Sequence, residues 1–277
     1  MNNGFYEFSR GGQETATTSS VFPYTGSAII TGSLGITGSL SQGSAVITLG
    51  SFSHAEGQST KTGIYGAYQA EIKDNEVTLL QSYGNITSSF TGKGQLYIYD
   101  EEFDQQYRWN SVYMEGKSYS ESKTMITISG DRVRDTTKAY VGDLTKLLTD
   151  RSWGGDKTIP APSAHAEGIE TIALGQQSHA EGYRTIAAGM WSHAEGYLTL
   201  ADSTAAHAEG TGSRASGPYS HAEGYSTVAL GTGSHAEGSG TTANGIGSHA
   251  EGSGTTANGI GSHAEGSGTT ANGIGSH

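Results

Sequence analysis

The chain has 277 residues, 43 of them glycine, with 15% charged residues and no cysteine. Its formal net charge of −12 and its 15 scattered lysines and arginines argue against nucleic acid as a partner, because phosphate binding needs clustered basic side chains. Neither disulfides nor thiolate metal sites contribute to the fold, and no apolar stretch reaches membrane-spanning length, so we expect a cytoplasmically made protein without membrane insertion.

Residues 1–45 read as an N-terminal attachment and stalk region, in which Ile30-Thr-Gly-Ser-Leu34 returns as Ile36-Thr-Gly-Ser-Leu40. β-branched residues between Gly-Ser turns suit short strands better than a helix. Residues 46–71 read as the first coils of a repeat: Ser53-His-Ala-Glu-Gly57 opens one, and Gln69-Ala-Glu71 reads as a degraded second copy. Residues 72–150 have another composition and read as an inserted β domain. Its strand-like runs are Glu76–Gln81, Gln95–Tyr99, Ser111–Met114 and Thr124–Ser129, with turn chemistry after Glu115 closing a hairpin between the last two. Asp135–Leu148 reads as a capped helix carrying Val141, Leu144 and Leu148 on one face, although Gly142 weakens it. Residues 151–163, with Pro160 and Pro162, form a linker.

From residue 164 to 277 the chain repeats every fourteen residues on the template Ser-His-Ala-Glu-Gly-x-x-Thr-x-Ala-x-Gly-x-x. Fixed spacing of this kind predicts stacked, equivalent coils, each with two short strands and two turns. Strand alternation sends Ser and Ala inward and His and Glu outward. With alanine in both inward slots, the predicted fold is all-β: a flattened parallel β-roll, or β-solenoid, with almost no room inside. At about 4.8 Å per layer, eight complete coils make a rod of roughly 40 Å.

So thin a roll has an energetic consequence. Burying alanine methyls at about 25 cal/mol per Å² does not offset an ordering cost of about 1–2 kcal/mol per residue, so association between chains is expected to complete the fold. The outward pair never varies, whereas the other face runs from Ile172/Leu174 to Thr242/Asn244. The predicted seam of a homotrimer is therefore the ladder His165, Glu167, His179, Glu181, His193, Glu195, His207, Glu209, His221, Glu223, His235, Glu237, His249, Glu251, His263 and Glu265. Ile172, Leu174, Ile186, Val228 and Leu230 leave partial cover of the second face open.

A Gly-bounded coil with Ser-x-Ala-x-Gly in one strand and x-Ala-x-Gly in the other resembles the trimeric left-handed β-roll of autotransporter adhesin heads. Those heads carry apolar residues where this chain has His and Glu. The Ser-His-Ala-Glu-Gly form is similar to repeats in phage and prophage tail-fibre or appendage proteins, as is the Ile-Thr-Gly-Ser-Leu stalk. The resemblance implies a homotrimeric structural virion protein, assembled in the host cytoplasm, that binds other virion proteins through its N-terminal region and a host surface glycan or protein. A bacterial trimeric adhesin head is the alternative, and a glycan-degrading tail protein comes third.

Three places carry residues suited to sharper chemistry. Imidazoles gathered in every layer could form a metal ladder, but neutral His hydrogen-bonded to Glu is the plainer reading, so no metal or cofactor is expected. Asp100-Glu-Glu-Phe-Asp104 could bind calcium or supply paired carboxylates, but clustered acids are commonly a solvated turn. Tyr183, Tyr197 and Tyr225, with Met190-Trp191 and Pro218-Tyr219 in the opposite turn, could stack on sugars or merely cover coil edges. No motif for a nucleophile or phosphate loop occurs, so no enzymatic activity is expected.

Overall fold

The computed structural model describes residues 40–44, 46–48, 53–100, 109–129, 135–150, 157–159 and 161–277. The attachment and stalk segment up to Ser39 lies outside them. Strands β1 (Leu40–Ser44), β2 (Ile47–Thr48), β3 (His54–Gln58) and β4 (Lys61–Thr62) build the first two coils of a parallel roll. The roll thus reaches back to a coil without histidine, in which Leu40 stands opposite His54 and Ser41 opposite Ala55. After β4 the chain leaves the roll and returns at His165–Ile169, which pairs with β3 in register, His165 on His54 and Ala166 on Ala55. The inserted domain interrupts the chain but not the stack.

From His165 onward each coil supplies one strand beginning at histidine and one two-residue strand ending at alanine. The longer strands form a ten-stranded parallel sheet and the short ones a second sheet of ten. The alanines of both slots are buried from Ala166 to Ala271, as are the template threonines from Thr171 to Thr255. The template serine closes the turn behind it: Ser178 Oγ donates to the Gly175 carbonyl at 2.7 Å and Ser192 Oγ to that of Gly189 at 2.7 Å. The glycines are fixed by the layer spacing. A Cβ at Gly196, where φ is +102°, would stand 2.2 Å from the carbonyl oxygen of Gly210.

The inserted domain comprises β5 (Ile64–Lys73), β6 (Glu76–Leu79), β7 (Gly94–Asp100), β8 (Trp109–Ser120), β9 (Lys123–Ile128), β10 (Thr136–Asp143), α1 (Leu144–Asp150) and β11 (Lys157–Ile159). Its antiparallel pairings run β10-β7-β8-β9-β6-β5 and close where β5 meets β10, with β11 added along β5. Ile72, Val77, Leu79, Leu96, Ile98, Met114, Ile126, Val141 and Leu147 are among its buried side chains.

Three expectations are corrected here. Gln69-Ala-Glu71 is no coil but the middle of β5, where Ala70 faces Leu79. The helix expected over Asp135–Leu148 forms only at Leu144–Asp150; Thr136–Asp143 is strand, in keeping with its β-branched threonines, valine and Tyr140, and Asp143 accepts from the backbone N–H of Lys146 at 3.0 Å as its N-cap. The β8–β9 hairpin turns later than expected, at Glu121-Ser122, with β8 bulged at Glu115. Both turn residues have positive φ, 50° and 64°, as do Asp74 and Asn75 between β5 and β6, at 49° and 62°. Such two-residue turns match the twist of the strands they join.

The inserted domain lies against the second face of the roll. Ile172, Leu174, Ile186, Ala188 and Leu200 are buried in one cluster with Leu96, Tyr97 and Val112. Tyr97 donates from its hydroxyl to the Leu174 carbonyl at 3.4 Å. This is why β7 is buried on both sides, its residues Gln95 through Asp100 alternating between two covered faces. It is also why the second face of the roll is apolar only in its early coils.

Candidate functional site: the histidine and glutamate face

All sixteen residues of the predicted ladder lie on one face of the longer-strand sheet, joined by His54 and Glu56. Register makes this compulsory, because each histidine is paired with the histidine of the next coil. From His165 to His263 consecutive rings stack with centroids 4.7–4.9 Å apart and planes within 1–16° of parallel. His54 continues the column onto His165 at 4.7 Å, although the whole inserted domain separates them in the chain.

Within each coil the imidazole faces its own glutamate. The Nε2–Oε2 separation ranges from 3.4 Å at His193–Glu195 to 3.9 Å at His263–Glu265. These are not the hydrogen bonds expected from the sequence. The Nε2 atoms of His54, His165, His179, His193, His207, His221, His235, His249 and His263 are shielded from solvent and have no hydrogen-bond partner within the chain. The rings are about one-third exposed and the glutamates at least as much, so the charged ends of the ladder face outward.

At four rungs the electrostatics favour neutral histidine. Burial first, and then the neighbouring imidazoles, push His165, His179, His207 and His249 below the ordinary histidine pKa, against the opposing pull of nearby glutamates. A proton on one ring would sit one layer from the next.

The remaining candidates are dispersed. Tyr183 and Tyr197 stack at 5.2 Å along one edge, with the Arg184 guanidinium 5.5 Å from the Tyr183 ring. Tyr219 and Tyr225 are exposed, whereas Met190 is buried. Trp191 donates from Nε1 to Gln177 Oε1 at 2.7 Å. Asp100 is not in a solvated turn: it is buried at the end of β7 and accepts from Thr136 Oγ1 at 2.9 Å. Residues 101–104 lie outside the described residues.

Sequence reading missed one polar cluster, at the edge of the inserted domain. The buried Asp202 carboxylate accepts from Ser216 Oγ at 3.0 Å and from Arg214 at 3.3 Å, while Arg214 also donates to Gln95 of β7. Burial raises the Asp202 pKa and Arg214 opposes the shift. The signal was present: Leu200/Asp202 followed by Arg214/Ser216 interrupts an apolar row with opposite charges one coil apart.

Residues 166–190 and 222–248 match the family model described as YadA head domain repeat, in two copies. No curated protein matches the chain.

Proposed function

We propose that the chain is the head of a trimeric, adhesin-like surface protein: a structural binding module without enzymatic activity, whose seam is the His/Glu face. The observation that carries this reading is the row of nine unpartnered Nε2 atoms, one in each coil from His54 to His263, on a roll whose buried apolar cluster is alanine. A partner sheet explains both features, since it supplies polar partners to every layer and adds the burial the roll lacks. The matched repeats support three copies, because YadA head domains are trimeric. With the second face occupied by the inserted domain in the early coils, the His/Glu face is the one that stays uniform from the His54 coil to the His263 coil.

The virion fibre expected from the sequence becomes the second reading. The Ser-His-Ala-Glu-Gly form of the repeat favours it, with the N-terminal region then docking to other virion proteins. In either setting, a host surface glycan or protein is the proposed target. Immunogold labelling of producing cells with an antibody against the repeat tests the two together. Label on the cell envelope supports the adhesin-like head, and label on released particles supports the fibre. Label confined to the cytoplasm would contradict both.

A further inference from the structure

The ladder is acidic and has no cation of its own. Within residues 161–277 the only basic side chains besides histidine are Arg184 and Arg214. Arg184 is held by Glu170 at 2.6 Å, and Arg214 is engaged by Asp202 and Gln95 away from the ladder. Covering the His/Glu face with further copies of the same face would gather one carboxylate per chain in each layer. Such a seam needs positive charge in place.

Each coil offers a matched pair of donors for it. A neutral imidazole nitrogen and a carboxylate oxygen form a donor set for zinc and similar divalent transition metals. Two ligands at roughly 2.0–2.1 Å from a tetrahedral ion stand roughly 3.3–3.5 Å apart. The observed Nε2–Oε2 separations begin there, at 3.4 Å for His193–Glu195 and 3.5 Å for His207–Glu209 and His235–Glu237. Nε2 is also the atom left without a hydrogen bond. His207, Glu209 and His221, and likewise His235, Glu237 and His249, bring all three ligand atoms within 4.8 Å of one another.

We propose that the seam binds divalent transition-metal ions, each held by the histidine and glutamate of one coil and completed by ligands from the same layer of the neighbouring copies. The proposal rests on the trimer reading. Stacked rings explain why a partner copy is needed: His207 and His221 lie within 9° of parallel, so their lone pairs run side by side rather than converge. Ions on adjacent rungs would repel at the layer spacing, so roughly every second rung is filled.

The test uses the full chain, stripped with EDTA, mixed with zinc chloride and desalted, with metal content, melting temperature and light-scattering mass read on the same sample. We expect more than one zinc ion retained per chain and a melting temperature several degrees above the EDTA-treated protein. The double variant Glu209→Gln, Glu237→Gln should retain less zinc yet melt with the parent in EDTA. A trimer that retains no zinc, or Gln variants that retain as much as the parent, would overturn the metal proposal and leave the trimer standing. A monomer at every zinc concentration would overturn the trimer reading itself. Magnesium is the control, expected to pass through because hard cations prefer all-oxygen sites.

Discussion

At the scale of single residues, the roll is governed by what the layer spacing permits. Gly196 has both a left-handed φ of +102° and a neighbouring carbonyl oxygen 2.2 Å from where a Cβ would be, whereas Gly254 has φ of +64° and open space around it. Gly196→Ala should therefore cost about 3 kcal/mol, combining backbone strain and overpacking, and Gly254→Ala about 1 kcal/mol; urea melts of the two variants read the difference. The histidines make a separate prediction. Because His165, His179, His207 and His249 lie below the ordinary histidine value of 6.5, the folded chain binds fewer protons than the unfolded one. Their contribution is complete above pH 6.5 and is lost as pH falls through the lowered values, so the protein should melt at a lower temperature at pH 5 than at pH 7.5. Equal melting temperatures would contradict this. The placement of these residues was legible, since a fourteen-residue period with strand alternation fixes which side chains share a face. The missing His–Glu hydrogen bond was not, because it turns on a few tenths of an ångström and on ring orientation.

At the scale of elements, the repeat could be read because every coil repeats the same local choice, while the inserted domain depends on pairings between distant segments. Glu76–Leu79, Gly94–Asp100 and Lys123–Ile128 were visible as β-rich runs. β5 was misread because Gln69-Ala-Glu71 mimics the repeat, although Asp74-Asn75, two residues that tolerate positive φ, marked its hairpin. The segment before α1 has helical spacing, yet Ala139 and Val141 pair with Asp100 and Ile98 of β7 and leave only the last turns to the helix. Contact between roll and inserted domain gives the test at this scale. Ile186 is fully buried in the shared cluster, so Ile186→Ala should cost about 2–5 kcal/mol. Ile246 occupies an outer turn and is 56% exposed, so Ile246→Ala should stay within about 0.5 kcal/mol in the same denaturation series.

At the scale of the whole molecule, one chain leaves two things unfinished. Its roll buries alanine where other folds bury leucine, and its most regular face ends each layer in an unpartnered imidazole nitrogen beside a carboxylate. The inserted domain finishes the second face only over its early coils, through Ile172, Leu174, Ile186 and Leu200. Copies of the chain meeting along the His/Glu ladder would finish the other. Residues 166–190 and 222–248, which match the head-domain repeat model, lie within this roll. The most direct measurement is the mass of the full chain in solution by light scattering across a dilution series. The account predicts three times the 28.7 kDa of one chain, unchanged on dilution. A stable, folded species of 28.7 kDa would contradict it.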